Sequence, residues 1–480
     1  LGQHILTSLQ GVAVHINAFN FPVWGLLEKL APTLLAGVPI IAKPATATAY
    51  LAEALARLIV QSNLLPDGAF QFIAGSSGDL LDHLTGQDVV SFTGSATTAE
   101  ILQRKPVIVR NAVRFIAERD SLNASVLAPD AGPGTPEFAL FIREVTREMT
   151  VKAGQKCTAI RRALVPQALV DPVIAALGAS LGKVQIGHPG LKTTHMGALA
   201  SLDQRRDVLA QLDRLRAESE IVFGDPAHVA VDGADATAGA FLSPILLHCA
   251  DPRRAAAVHA VEAFGPVSTV MGYADLDEAA ELVRRGEGSL VASVVTHDQE
   301  TARAMAMALG AWNGRLLFLD RDCAQESTGH GSPLAHLVHG GPGRAGGGEE
   351  MGGVRGVHHY MQRTAVQGSP AMLTAITGSW VKGAPQITRD RHPFRYGFND
   401  LVLGQTFESA LREVTLADIE HFAHFTGDTF YAHMDEEAVK GHPFFPGRVA
   451  HGYLLLSFAA GLFVDPPPAD GDLAAGDVDQ

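Results

Sequence analysis

Two side chains stand in settings where covalent chemistry could be done. Cys157 lies in Lys152-Ala-Gly-Gln-Lys-Cys157-Thr-Ala. A lone cysteine is ordinarily a small buried hydrophobe. Here a glycine and the polar Gln155 and Lys156 precede it, and the Lys156 charge would favour the thiolate, the form that attacks carbonyl carbon. Glu118 ends the apolar run Val113-Arg-Phe-Ile-Ala-Glu118. A parallel strand would deliver it to the carboxyl edge of a sheet, where ligand sites of such folds lie, and a carboxylate there can draw a proton from water. A third group lies far downstream, in Phe425-Thr-Gly-Asp428-Thr-Phe-Tyr-Ala-His433-Met-Asp435. Asp428 and His433 in one loop can converge on one water, although the spacing alone also fits an Asp N-cap beside a surface histidine.

The elements that must position these groups alternate in type. Residues 11–19, 38–42, 68–74 and 89–92 read as strands, and residues 46–62 carry apolar side chains at helical spacing. Strands alternating with helices imply βαβ units and a parallel sheet. A second α/β region runs from about residue 122 to 333, with helical stretches at 137–152 and 301–309. Gly341-Pro-Gly343-Arg-Ala-Gly346 matches a dinucleotide-binding fingerprint as letters, but polar and acidic residues follow where an apolar helix should start. It reads as a flexible or tightly turning structural segment. Residues 396–456 change character, with Thr415 a candidate N-cap and Asp418 three residues on.

A chain of 480 residues exceeds what one core serves, so at least two domains are expected. Hydrophobic residues at 47% and charged residues at 18% are ordinary for a globular enzyme. A formal charge of −14 argues against nucleic-acid binding and against a polybasic membrane anchor. No apolar run is long enough to span a bilayer, and no signal segment opens the chain. Three cysteines are too few for a disulfide framework, so a cytoplasmic location is expected. The chain starts at Leu1 without Met and stops after an acidic, Pro-rich stretch beginning at Asp465. Both ends are expected to be incomplete.

Five ordered motifs accompany Cys157: Asn17-Ala-Phe-Asn20-Phe-Pro-Val-Trp24, Ala42-Lys43-Pro44-Ala45, Phe92-Thr-Gly94-Ser95, Glu262-Ala-Phe264-Gly265-Pro266 and Tyr360-Met-Gln-Arg-Thr-Ala-Val. Together they resemble the aldehyde dehydrogenase superfamily over residues 1 to about 368. The resemblance implies that Cys157 attacks an aldehyde and that Asn20 and the Cys157 backbone N–H stabilise the resulting alkoxide. It implies further that Glu118 activates the water that hydrolyses the thioester. Lys43 and Glu262, with Phe264, would hold the cofactor, and Gly94 and Ser95 would meet its pyrophosphate. Many NAD-using members carry Glu where this chain has Thr46; a neutral residue there removes repulsion of a 2′-phosphate, so NADP is favoured, with NAD as the other choice. Two departures stand out: Glu118-Arg-Asp-Ser replaces the common Glu-Leu-Gly-Gly, and Phe19 replaces Trp.

Downstream, the Asp428–His433 segment followed by His451-Gly452 before the apolar Leu454-Leu-Leu resembles the MaoC-type enoyl-CoA hydratases of hot-dog fold, although Thr429-Phe-Tyr-Ala replaces the usual Asn-Pro pair. That resemblance implies that Asp428 and His433 activate water and that the Gly452 N–H polarises a thioester carbonyl. The expected fold is therefore α/β, an aldehyde dehydrogenase fold with a Rossmann-like cofactor domain and an α/β catalytic domain, followed by a partial α+β hot-dog domain. The expected divisions are residues 1–121 for NAD(P) binding, 122–340 for the catalytic cysteine, 341–370 for the Gly-rich connector and an oligomerisation strand, 371–395 for a linker and 396–480 for the partial hydratase. With later strands missing, residues 454–463 would face water and the hydratase half would be inactive or poorly folded.

The order of the two parts is similar to the fused dehydrogenase–hydratase enzymes of bacterial phenylacetate degradation, as are Glu118-x-Asp-Ser-Leu-Asn and Phe430-Tyr-Ala-His433-Met-Asp435. The resemblance implies a CoA-thioester substrate: hydration of the vinyl ether of oxepin-CoA, opening to an aldehyde, then NADP-dependent oxidation to the acid. A homo-oligomer is expected. The alternative is a dehydrogenase for another CoA-linked semialdehyde with a non-catalytic hot-dog remnant.

Overall fold

The computed structural model describes residues 1–464 apart from Gly352 and Asp390, so the acidic stretch beginning at Asp465 lies outside the described residues. Two compact units form, one of Leu6–Arg363 and one of Leu1–Ile5 with the chain from Thr364 onward. Strand β1 (Gly2–Ser8) is paired with β16 (Met361–Gln367), so the segment expected to serve oligomerisation lies here beside the chain's own first strand.

In the larger unit, β2 (Ala13–Ile16), β3 (Ile40–Lys43), β4 (Phe70–Phe72), β5 (Val89–Thr93) and β6 (Arg114–Glu118) make one sheet in the order β4-β3-β2-β5-β6. Every pairing in it is parallel, as the alternation of strands and helices requires. Sheets of this kind are covered on both faces, which is why Ala13, Val14, Val89 and Val90 are all fully buried. Helix α1 (Trp24–Leu35) and helix α2 (Ala49–Gln61) close one face, with Leu26, Leu30 and Ala52 packed on Ile40 and Ala42. The expected helix from residue 46 opens instead with a separate 3-10 turn, Thr46–Thr48, and continues from Ala49. Glu118 is the last residue of β6, at the carboxyl edge anticipated for it.

The second sheet has seven strands: β7 (Ala124–Leu127), β8 (Arg162–Pro166), β9 (Glu220–Phe223), β10 (Ile245–Cys249), β11 (Val267–Tyr273), β12 (Ser289–Val295) and β13 (Asn313–Leu319). Their order is β13-β12-β7-β8-β11-β10-β9, parallel except for β9 against β10. Helix Pro136–Thr150 starts with Thr135 as N-cap and Pro136 in its first turn, and buries Phe141, Val145 and Met149 against Leu127, Ile160 and Val270. The sequence pattern carried this helix to residue 152. It stops at Thr150 because Lys152 and Ala153 take left-handed φ angles of 55° and 52°, and Gly154 follows at +68°.

The Gly-rich segment forms β14 (Val338–Gly340) and β15 (Glu349–Met351), an antiparallel pair joined by a tight turn. As expected, it is structural rather than a phosphate loop with a helix behind it. At Gly346, with φ of 110°, a Cβ would come within 2.3 Å of the Ala117 carbonyl oxygen, so only glycine allows this approach to β6.

In the smaller unit, helix Leu416–Thr426 carries the capping box formed by Thr415 and Asp418 and ends at Gly427 in the left-handed region. Helix Gly452–Leu462 buries Leu454 but leaves Tyr453, Leu455 and Leu456 exposed. Among the described residues no helix is long and apolar enough to cross a membrane.

Candidate functional site

Cys157 follows the left-handed turn at Lys152–Gly154, and that turn is held from several directions. A Cβ at Gly154 would stand 2.1 Å from the Gly265 carbonyl oxygen, so the turn and the Glu262–Pro266 loop approach as only glycine permits. Between them lies the buried Arg161 guanidinium. It donates to the carbonyls of Gly154 (2.9 Å), Lys156 (3.2 Å) and Gly265 (2.8 Å), and to the Glu262 carboxylate (3.2 Å). From the other side Asn123 donates its amide to the Cys157 carbonyl at 2.7 Å. Consecutive non-glycine residues at positive φ cost on the order of 1 kcal/mol or more each and persist only where neighbours over-determine them. Arg161 and Asn123 do so here.

The thiol sits between two concavities. One, of about 290 Å³, is lined by Asn20, Phe21, Trp24, Glu118, Lys152, Cys157 and His339. The other, of about 700 Å³, includes Lys43, Gly94, Ser95, Glu262, Phe264 and Arg344. Asn20, Thr93, Glu118 and Cys157 line both, so they form the wall at which the two spaces meet.

His339 was not singled out from the sequence. Its Nε2 lies 3.2 Å from Glu118 Oε2 and 3.7 Å from Cys157 Sγ. Burial opposes the charged imidazolium, yet the Glu118 charge and the contacts with Cys157 win, and the His339 pKa is raised well above its ordinary value. Burial by itself would raise the Glu118 carboxyl; His339, and then Lys29 on α1, outweigh it and hold Glu118 down at about 2. Burial, followed by the Glu118 charge, pushes the Cys157 thiol up to about 12 against the pull of His339. Glu118 Oε1 has no hydrogen-bond partner among the described residues.

One sequence expectation is overturned. Lys156 does not support a thiolate: its ammonium is buried on both oxygens of Glu148, at 2.7 and 2.8 Å. A charge already neutralised by a two-point contact has little field to spare for a neighbour.

The remaining residues divide by place. Lys43 lines the larger cleft. Ser95 caps helix α3 (Ala96–Gln103), whose first turn borders the same cleft. Glu262 also lines it, but its carboxylate is already held by Arg161 and by the Ser121 N–H at 3.2 Å. Burial, with Asp120 adding to it, raises the Glu262 carboxyl to about 7 despite Arg161. Thr46 is exposed and is not part of the cleft lining, although Lys43 and Ala45 are. The departure at Glu118-Arg-Asp-Ser has a structural partner: Arg119 donates to the Gly343 carbonyl at 2.8 Å, and Asp120 pairs with Arg344 at 2.5 Å, stitching this loop to the Gly-rich turn. These residues suit a dinucleotide: a cation, a capped helix start and a cleft that reaches the thiol.

In the smaller unit, one ligand-type atom each from Asp428, His433 and His451 lies within 4.8 Å of the others. The His433 and His451 rings stack with centroids 3.7 Å apart. The Val449 carbonyl holds His433 Nδ1 at 2.7 Å, and the Asp428 carbonyl holds His451 Nε2 at 2.9 Å. His451 was quoted from the sequence only as part of the His-Gly pair, and Gly452 is the first residue of the helix behind it.

Residues 6–366 match the aldehyde dehydrogenase family and residues 400–474 the MaoC like domain. Over 342 residues the chain is 48% identical to 3,4-dehydroadipyl-CoA semialdehyde dehydrogenase of Aromatoleum evansii, covering 71% of this chain and 66% of that protein. The chain thus spans about two thirds of that relative's length. It is 50% identical over 272 residues to Protein MaoC of Klebsiella aerogenes, covering 56% of this chain and 79% of that protein. Betaine aldehyde dehydrogenase of Staphylococcus aureus, solved with NAD+, superposes with a TM-score of 0.66 at 24% identity, over 76% of this chain and 69% of the other. Succinic semialdehyde dehydrogenase of Streptococcus pyogenes, solved with NADP+, gives 0.65 at 20% identity, over 76% and 74% of the two chains. The chain belongs to the aldehyde dehydrogenase family and carries a MaoC-like domain after it.

Proposed function

We propose that this chain oxidises a CoA-linked semialdehyde to the acid with NADP through a thioester on Cys157. We propose also that its MaoC-like part supplies the aldehyde by adding water to oxepin-CoA, whose hydrated vinyl ether opens. The observation that carries the first reading is the shared wall: a thiol, a carboxylate and an amide where a smaller cavity meets a dinucleotide-sized cleft.

Cys157 attacks the carbonyl carbon from the smaller cavity, and the Asn20 amide with the Cys157 N–H stabilises the alkoxide; losing one such donor costs about 2.7–4 kcal/mol. The cofactor, when bound, accepts the hydride. Lys43 and Glu262 would hold its ribose hydroxyls, Phe264 would pack beside it, and Gly94 and Ser95 would meet the pyrophosphate at the start of α3. Thr46 stands where many NAD-using members of the family carry Glu, and a neutral residue there removes repulsion of a 2′-phosphate, which favours NADP over NAD. Glu118 then takes a proton from water attacking the thioester. In the other part, Asp428 and His433 activate water, and the Gly452 N–H polarises the thioester carbonyl. The paired strands β1 and β16 are proposed as an assembly surface for a homo-oligomer, and the chain as a cytoplasmic enzyme.

A second reading of the substrate comes from the relative named for 3,4-dehydroadipyl-CoA semialdehyde: the aldehyde is another CoA-linked semialdehyde, and the MaoC-like part is not catalytic. NADP reduction measured with the oxepin-CoA-derived semialdehyde against shorter CoA semialdehydes decides between them. Under the first reading Cys157→Ala abolishes reduction, and Glu118→Gln leaves a burst of about one turnover followed by slow hydrolysis. Undiminished steady turnover in Cys157→Ala sinks both readings.

A further inference from the structure

Between the nucleophile and the carboxylate stands a third ionisable side chain, on a strand that the family motifs quoted above do not include. We propose that His339 is a catalytic residue of the dehydrogenase, the cation against which the Cys157 thiol ionises. The inference rests on the reading of Cys157 as nucleophile and is independent of which aldehyde is oxidised.

The geometry is specific. A single imidazole nitrogen, Nε2, faces both the carboxylate and the thiol, at 3.2 Å from Glu118 Oε2 and 3.7 Å from Cys157 Sγ. His339 is 8% exposed and lines the smaller cavity beside the thiol, so it touches the space the aldehyde would fill. It is carried on β14, paired with β15, and the turn between them is bound to the Glu118 strand by the Gly348 N–H to the Ala117 carbonyl at 3.1 Å and the Arg119 N–H to the Ala345 carbonyl at 2.9 Å. Imidazole and carboxylate are thereby fixed in register. The charges around this group are Glu118 on β6, Cys157 on its loop, and Glu28 and Lys29 on α1. Glu118 is the one in ion-pair contact with the imidazole, and it favours the protonated ring.

The step balances without an outside reagent. The Cys157 S–H bond breaks and its proton passes to a solvent water, leaving the electron pair on sulfur. The His339 N–H bond stays intact, and its Nε2 faces the new thiolate from beside Glu118, which stays ionised throughout. Desolvation and Glu118 raise the thiol, and His339 is the largest influence opposing them; the charges of Lys152 and Arg315 also act on the sulfur, from greater remove. Once the sulfur is acylated it carries no charge, and the Glu118 carboxylate, never protonated in this step, is available for the hydrolytic water.

Alkylation of Cys157 by iodoacetamide, followed by mass spectrometry across pH 6 to 10, tests this with neither substrate nor cofactor present. Cys249 and Cys323 are resolved as separate peptides. An opposite charge within this distance is worth one to three pH units, so His339→Gln and His339→Phe should each slow alkylation near pH 8 by about tenfold or more, and shift the profile to higher pH. His339→Lys, which restores a cation, should recover part of the rate. Where the Phe variant fails to fold, the Gln variant, which can still donate to Glu118, decides. Alkylation of His339→Gln within about threefold of the parent overturns the proposal. Normal alkylation with no NADP reduction by any CoA semialdehyde would instead tell against the proposed reaction and leave this inference standing.

Discussion

Glu262 should make the dehydrogenase unit less stable as pH rises from acid to neutral, the reverse of what most carboxylates do. Its folded carboxyl is raised from 4.5 to about 7, by burial first and by Asp120, with Arg161 opposing. A group whose folded pKa lies above its unfolded value favours the fold while it is protonated in both states, below about 4.5. That contribution fades as pH climbs through 7. The rise is worth on the order of 3 kcal/mol. The side chain is deeply buried, so little of this is lost to solvent screening. Neutral glutamine keeps the shape, accepts from only one of Ser121 and Arg161, and does not titrate, so the lost bond is a constant offset that does not change with pH.

The measurement is urea unfolding of the parent and Glu262→Gln at several pH values between 4.5 and 8.5, followed by far-UV circular dichroism. The difference between the two proteins isolates this one carboxyl, because Glu118 and Glu137, both lowered to about 2, lose their stabilisation only toward acid and do so equally in both. The stability of Glu262→Gln relative to the parent should climb by about 3 kcal/mol from pH 4.5 to pH 8.5. A flat difference across that range, or a glutamine variant that loses ground as pH rises, would refute the reasoning and show that Arg161 fully neutralises the carboxylate.

Two further outcomes follow from the turn that presents the thiol. Gly154→Ala must place a methyl group against the Gly265 carbonyl at a left-handed φ, so it should cost about 2–4 kcal/mol in urea unfolding and displace Cys157 enough to lower kcat/KM by about a hundredfold; near-parent activity would mean the turn does not set the nucleophile. Lys156→Met breaks a buried pair and strands Glu148, whose carboxyl burial already raises; it should cost about 3–5 kcal/mol of stability yet leave iodoacetamide alkylation of Cys157 within about threefold of the parent. A large fall in alkylation rate without loss of stability would restore Lys156 as the activator of the thiol.

What could be read ahead of the structure, and what could not, separates along a physical line. Glu118 was legible because one local fact suffices: an apolar run that ends in a carboxylate becomes a parallel strand with that carboxylate at its carboxyl edge, and β6 ends there. The parallel sheet was legible for the same reason, and so was Thr415 with Asp418, a capping pair within one turn. The extent of the helix before Cys157 was misjudged because residues 151 and 152 continue its apolar and basic pattern, while the left-handed turn that ends it is enforced from residues 161 and 265. Lys156 was misread by the same logic: adjacency in sequence put a cation beside the thiol, but the ammonium answers to Glu148, in the last turn of the preceding helix and buried with it. His339 carries the argument furthest. It is 182 residues from the cysteine and 221 from Glu118, in a Gly-rich stretch with no periodicity to mark which face it presents. Only the register of β14 against β15, and of their turn against β6, converts that histidine from a polar residue in a Gly-rich connector into a cation placed beside a carboxylate and a thiol. A site whose members each come from a different element is written in the sequence as residue types, and in the backbone hydrogen bonds as chemistry.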